Sequence, residues 1–277
     1  MDTINILVTL DQNYLPQLQV LLTSIRINNP GEQLRLFLLH SSMPKQEVER
    51  IEDWCGCHSY EFVPIQVGES LFQNAPVSKQ YPREMYYRLL APQFLPRELE
   101  RTLYLDPDIL VINPLRRLWE MDLQEKLFAA AAHTGKTELA NNVNRLRLGM
   151  DHDYYNSGVL LMNLRLGRTE ILPEVLFRYV REHAMELVLP DQDLLNAMYG
   201  DRILPLDDSI WNYDARNYNN YLLRSAGEHN IAWVMSHTSI LHFCGKAKPW
   251  KPNYFYRFGL LYQHYIQLAH RDWDERT

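Results

Sequence analysis

Apolar residues run through this chain in two alternating rhythms. Ile4–Leu10 is a nearly continuous apolar run that breaks at Asp11-Gln12-Asn13-Tyr14 and reads as a buried strand. Leu15–Asn28 then repeats Leu18, Leu21, Leu22 and Ile25 at the spacing of a helix face and closes on Asn29-Pro30-Gly31. The alternation continues with a strand at Leu34–His40, a helix at Lys45–Trp54, a strand at Tyr60–Val67 and a helix at Met85–Phe94 ending near Pro96. Strand Arg101–Leu105 follows, then a short apolar run at Phe128–Ala132 and another at Val159–Leu164. Helices are predicted at Leu172–His183 and at Asp191–Tyr199, the latter capped by Asp191 after Pro190. A late strand at Ile240–Phe243 precedes an amphipathic C-terminal helix at Tyr256–His270, within 255–271. This alternation predicts an α/β fold with a mostly parallel central sheet covered by helices and a helical C-terminal portion. Gly135–Asp153 loses the periodicity, is rich in Asn, Arg and His, and is predicted to be a mobile lid loop. No repeat, low-complexity linker or clean boundary divides the chain, so residues 1–277 are expected to form one domain.

Composition narrows the function classes. With 46% hydrophobic residues in 277, the chain can bury a large core. A net charge of −6 and a pI near 5.9 offer no basic stripe for nucleic acid. No apolar run approaches the ~18 residues of a membrane span. The start, Met1-Asp2-Thr3-Ile4-Asn5, lacks the basic region of a signal peptide, so a soluble, cytoplasmic protein is expected. Cys55, Cys57 and Cys244 fit a reducing compartment without a disulfide framework. Cys55-Gly-Cys57 lacks a second pair of ligands and is read as incidental. The 17 Tyr and 6 Trp suit stacking on sugars or bases as well as filling a core.

Candidate chemistry concentrates at Leu103-Tyr104-Leu105-Asp106-Pro107-Asp108. Two carboxylates stand at the carboxyl end of a buried strand, where open α/β sheets place their ligands. Hard oxygen donors there suit Mg²⁺ or Mn²⁺ against a diphosphate. The pattern recurs at Asp151/Asp153, Asp191/Asp193 and Asp272/Asp274, but only the first follows a strand-like run. Neither a dinucleotide Gly-x-Gly-x-x-Gly nor a P-loop is present, and Gly-x-Ser-x-Gly and His-Glu-x-x-His are absent too. A bound nucleotide therefore needs another device. His242-Phe243-Cys244-Gly245-Lys246-Ala247-Lys248-Pro249-Trp250 offers one. A histidine closes a strand, Gly245 lets backbone approach a ligand, and Lys248 supplies a point charge for phosphate.

Taken together, Leu103–Asp108, Asn156-Ser157-Gly158-Val159, Asp191-Gln192-Asp193 and His242–Trp250 resemble, in order and spacing over nearly the whole chain, the family 8 glycosyltransferases. These are retaining enzymes of the GT-A fold that include lipopolysaccharide galactosyl- and glucosyltransferases, general-stress proteins and glycogenin. The resemblance implies transfer of a hexose, glucose or galactose, from a UDP-sugar to an acceptor hydroxyl of a glycan, lipid-linked glycan or protein. It implies that Asp106, Asp108 and His242 bind Mn²⁺ or Mg²⁺ and that Gly245 and Lys248 hold the diphosphate. Asp11 and Asn13 would hydrogen-bond the uracil and Tyr14 would stack on it, with Thr9 also on the nucleotide side. Arg88, Asn156 and Asp191 would contact the donor sugar, and Gln192 would lie nearest its anomeric carbon. Where the lipopolysaccharide galactosyltransferases have an acid, this chain has His133, so their acceptor contacts are not expected here. The chain ends Asp272-Trp273-Asp274-Glu275-Arg276-Thr277, so their basic, aromatic membrane tail is not expected either.

Retention could proceed by double displacement or by attack on the face the leaving group departs from. Gln192 is a neutral, poor nucleophile and Asp191 is expected to hold sugar hydroxyls, so same-face attack is favoured. The readings that stay open are a self-glucosylating, glycogenin-like primer, a non-catalytic sugar-nucleotide-binding protein, and a metal-dependent phosphohydrolase.

Overall fold

The computed structural model describes residues 2–68, 72, 75–76, 84–133 and 136–274. The first half follows the expected alternation: β1 (Ile4–Thr9), α1 (Leu15–Asn28), β2 (Leu34–His40), α2 (Lys45–Cys57), β3 (Glu61–Gln66), α3 (Glu84–Phe94) and β4 (Arg101–Leu105). Next come β5 (Ile109–Val111), α4 (Arg116–Trp119), β6 (Phe128–Ala131), α5 (Lys136–Leu148), β7 (Val159–Asn163), α6 (Leu164–Glu170), α7 (Pro173–His183) and α8 (Pro190–Tyr199). The remainder is β8 (Ile203–Leu206), α9 (Asp208–Trp211), β9 (Tyr213–Asp214), α10 (Tyr218–Arg224), α11 (Ile231–His237), β10 (Ile240–His242) and α12 (Gly259–Asp274). None of the described helices is long and apolar enough to cross a membrane.

Seven strands form the main sheet in the order β3-β2-β1-β4-β7-β6-β8. β1 is buried at every position because it lies inside this sheet, between parallel neighbours β2 and β4. Chain order reverses there: β2 and β3 extend to one side, β4 to the other. Such a switch point leaves a crevice beyond the strand ends. Asp11 and Asn13 follow β1 into it, and Asp106 follows β4. One buried cluster packs Ile6, Leu21, Leu38 and Leu103 on one face of the sheet, and a second packs Leu7, Phe37, Tyr104 and Leu160 on the other. A smaller sheet, β5-β10-β9, pairs β5 antiparallel and β9 parallel to β10. Its register sets His242 opposite Ile109 and Asp214. Two distant stretches of chain thereby meet beside Asp108.

The sheet is mostly parallel, as expected, with β7 alone running antiparallel to its neighbours β4 and β6. Other expectations change. The stretch expected to be an aperiodic loop folds as helix α5 over Lys136–Leu148, and Gly135 lies outside the described residues. Its Leu, Ala, Lys and Arg are good helix formers, and Arg145 and Arg147 in the last turn complement the helix dipole. Leu139, Val143 and Leu146 stand at helical spacing in the sequence, masked by the Asn and Arg residues between them, and Val143 and Leu146 face solvent in the fold. Asp191 is not a cap: α8 begins at Pro190 and Leu189 holds the cap position. The Asp191 carboxylate turns instead to Arg88 and Ser157. The C-terminal helix runs on to Asp274 because Asp272 and Trp273 are buried against α1 and α2. Cys55 is buried and Cys57 exposed on α2, so the two thiols do not converge on one ion. Burial pushes the Cys55 thiol up to about 12 and leaves it inert.

Candidate active site

The metal-suited residues converge. Donor atoms of Asp106, Asp108 and His242 all lie within 4.8 Å of one another. His242 Nε2 is 3.3 Å from Asp108 Oδ1 and 3.8 Å from Asp106 Oδ2. Backbone fixes both carriers: the Phe243 N–H donates to Asp108 O (3.0 Å) and the Asp106 N–H to Gly158 O (2.8 Å). A Cβ at Gly158 would stand 2.3 Å from His242 Cε1 and 2.8 Å from Asp106 Oδ2. The glycine of the Asn-Ser-Gly motif is thus required by close approach.

Asn212, fully buried at the end of α9, was missed in the sequence and organises the cluster. Its Oδ1 accepts from His242 Nδ1 (2.9 Å), and its Nδ2 donates to Asn156 Oδ1 (3.0 Å). Asn156 Nδ2 in turn donates to Gln192 Oε1 (3.1 Å). With Nδ1–H held by Asn212, Nε2 is the nitrogen turned to the two carboxylates. Two hard oxygens and one imidazole nitrogen fit Mg²⁺ or Mn²⁺. Burial alone would raise Asp108, but His242 and Lys248 outweigh it and hold its carboxyl well below the usual range. Burial disfavours the His242 cation, yet Cys244 and Asp108 push its pKa well above the ordinary value, so a divalent ion has a proton to replace. His133, His242 and Cys244 also approach one another, but burial raises the Cys244 thiol away from the thiolate a metal needs. His133 is buried and its Nε2 donates to Asn212 O (2.8 Å).

Across the crevice, Arg88 Nη1 reaches Asp106 Oδ1 and Asp191 Oδ2, both at 3.1 Å, and Ser157 O at 3.1 Å. Its guanidinium lies 4.8 Å from the Tyr104 ring centre. Tyr104 Oη donates to Asp106 Oδ1 at 2.6 Å, and Thr9 Oγ1 sits 3.3 Å behind it. Thr9 is therefore buried and turned to Tyr104 rather than to the crevice. Asp11 and Asn13 are exposed, the Asp11 carboxylate accepting from the Asn13 N–H, and the Tyr14 ring is 39% exposed rather than core. Lys248 forms an ion pair with Asp108 Oδ2 and donates to Phe243 O (2.9 Å), with its ammonium over Trp250. Asp108 thus faces His242 with one oxygen and Lys248 with the other.

Asp193, third residue of the Asp-Gln-Asp motif, serves structure. It is fully buried and accepts from Arg147 (2.8 and 3.0 Å), Tyr154 Oη (2.5 Å) and the Val188 and Leu189 N–H groups. Among the described residues, only the Asp-x-Asp pair after β4 brings both its carboxylates to one histidine. The missed residues share one signal: a polar residue inside an apolar run, as in Ile210-Trp211-Asn212-Tyr213, must find a buried partner.

Known proteins resemble this chain in sequence and in fold. General stress protein A of Bacillus subtilis is 27% identical over 267 residues, covering 94% of this chain and 91% of the relative. A lipopolysaccharide 1,2-glucosyltransferase of Escherichia coli is 24% identical over 259 residues, covering 90% of this chain and 74% of the relative. In structure, the galactosyltransferase LgtC, solved with donor and acceptor sugar analogs, superposes with a TM-score of 0.81 over 99% of this chain and 100% of its own, at 20% identity. That likeness gives the architecture as the GT-A type. Residues 5–253 match the family model described as glycosyl transferase family 8, a span that includes every motif meeting at the crevice, and the chain belongs to that family.

Proposed function

We propose that this protein is a metal-dependent retaining hexosyltransferase that moves glucose or galactose from a UDP-sugar to an acceptor hydroxyl. One observation carries the reading: Asp106, Asp108 and His242 converge after β4 and at the end of β10, and Asp106 is joined through Arg88 to Asp191. In this reading Asp106, Asp108 and His242 hold Mn²⁺ or Mg²⁺, which supplies Lewis-acid stabilisation of the leaving diphosphate. Lys248 adds a positive charge beside Asp108 and Gly245 keeps the backbone low enough for the phosphates. Asp11 and Asn13 hydrogen-bond the uracil and the exposed Tyr14 ring stacks on it. Arg88, Asn156 and Asp191 orient the sugar. The Asp191 carboxylate is engaged by Arg88 and by Ser157 Oγ (3.1 Å), and Gln192 is neutral. Neither is poised as a nucleophile, which favours same-face attack, the departing phosphate oxygen taking the acceptor's proton.

UDP release from a panel of UDP-hexoses, with Mn²⁺ and with EDTA, tests the reading. Turnover should require the divalent ion. Lys248→Ala should lower kcat by roughly 10²-fold, as expected for loss of one preorganised charge-stabilising donor. Exposed Lys246→Ala should have little effect. Undiminished turnover in EDTA, or equal effects at the two lysines, would sink the proposal.

A further inference from the structure

We propose that the cleft between the segment after β9 and residues 255–257 is the acceptor subsite, and that it selects acceptors carrying an anionic group, a phosphate or a carboxylate. The inference rests on the transferase reading above and names its second substrate class. The cleft, about 400 Å³, is lined by Arg216, Tyr218, Asn219, Phe255, Tyr256 and Arg257 along with Ala215. It adjoins the diphosphate loop. The Ala215 N–H donates to His242 O (3.0 Å), and a Cβ at Gly245 would stand 2.4 Å from Arg216 Nη1. Arg216 and Ala215 therefore join the wall of this cleft to the loop that follows His242.

Charge points to the ligand. In a chain of net charge −6, this lining holds two arginines and no acid. Arg216 is fixed from behind by Asp214, whose carboxylate takes Nε at 2.9 Å and Nη2 at 2.7 Å. Asn217 Nδ2 also donates to that carboxylate (2.8 Å), so Asp214 is spent on the cleft wall and Nη1 stays toward Gly245. Arg257 is exposed and lies 4.3 Å from the Tyr218 ring centre, with no carboxylate partner among the described residues. Stacking orients its planar fork and leaves the N–H edges for a ligand, the arrangement suited to bidentate phosphate or carboxylate recognition. Beside it Phe255 is 83% exposed and stacks on Tyr256 (5.4 Å, 29°). An aromatic ring left in water next to a guanidinium provides a face for a pyranose ring, while the cations take its charged substituent.

Titration calorimetry of the UDP- and Mn²⁺-saturated protein with methyl glucoside, methyl glucoside 6-phosphate and methyl glucuronide decides the matter. At least one anionic probe should bind about tenfold or more tightly than the neutral glycoside, and the advantage should shrink at high salt. Comparison of the two anionic probes separates a phosphate from a carboxylate acceptor. Arg257→Gln should abolish the preference and Arg257→Lys should restore part of it. Equal affinities for charged and neutral probes, no binding of either anionic probe, or a preference that survives Arg257→Gln overturns the inference. Mn²⁺-dependent binding of UDP and of UDP-hexoses by the unaltered protein is recorded in parallel. Its absence topples the transferase reading and this inference together, whereas donor binding without anionic preference topples this inference alone.

Discussion

Asn212 carries more of the site than any residue the motifs announce. It fixes the ring of His242 through Nδ1 and reaches Gln192 by way of Asn156. Partners that orient a metal-ligating histidine are worth 10–100-fold in metal affinity. Asn212→Ala should therefore weaken Mn²⁺ binding by about that factor, and should cost about 1–3 kcal/mol of stability from the buried partners left unpaired. Asn212→Asp keeps the acceptor for Nδ1 and removes the donor to Asn156. It should bind Mn²⁺ better than the alanine variant while turnover still falls. Calorimetric Mn²⁺ affinity checks both, and an alanine variant that binds the ion as tightly as the unaltered chain would falsify the role. At this scale the sequence was legible where chemistry and context coincided. Asp106 and Asp108 stood out because a buried strand ends at them, and His242 because a glycine and a lysine follow it. Asn212 shows in the sequence only as a polar residue within an apolar run, and its role is three-dimensional: the partners of its side chain are 30 residues away at His242 and 56 away at Asn156.

Short elements, rather than the long ones, assemble the site. β9 is two residues and β10 three, too short for any periodicity, yet their pairing delivers His242 and Asp214. Just beyond β10, Gly245 has φ +79° and Arg216 Nη1 lies where a Cβ would go. Gly31, with φ +81° and open space around it, shares the backbone conformation without the contact. Gly31→Ala should cost about 1–2 kcal/mol, the penalty for a side chain in the left-handed region. Gly245→Ala adds a clash with a guanidinium that Asp214 holds by two nitrogens, so it should cost more and also impair donor turnover. Urea denaturation of the two variants isolates the contact, and equal losses would show that Arg216 simply moves aside. The long elements were readable because strands of the inner sheet are apolar throughout and α1 shows its buried face. α5 was not: Val143 and Leu146 point to water, and among its described side chains Arg147 ties the last turn to Asp193 and to Glu186 O.

On the scale of the whole molecule, the last helix returns to brace the first two. α12 packs along α1, and near its end Asp272 gathers Thr23 Oγ1 (3.3 Å), Arg26 Nε (3.1 Å) and Trp54 Nε1 (3.1 Å). Trp273 stacks on Trp54, centroids 4.8 Å apart and planes 4° from parallel. In the sequence Asp272/Asp274 is one more carboxylate pair, set apart from Asp106/Asp108 only by the strand-like run that precedes the latter. The fold separates the two. Asp272 binds residues 218 to 249 positions before it, and the histidine beside it, His58 at 3.5 Å, belongs to no metal-suited group among the described residues. Since α1 and α2 flank the strands that lead into the crevice, loosening this brace should act on stability before chemistry. Breaking a buried ion pair from one side costs about 3–5 kcal/mol, because the remaining partners are left buried and uncompensated. Asp272→Ala should fall in that range by urea denaturation, with UDP release at low temperature retained. Asp274, whose side chain is 66% exposed and pairs with Arg50 at 3.3 Å, is the control, and Asp274→Ala should cost no more than about 1 kcal/mol. Similar losses at the two positions would mean that the aromatic stack of Trp54 and Trp273, rather than the carboxylate, holds the helix in place.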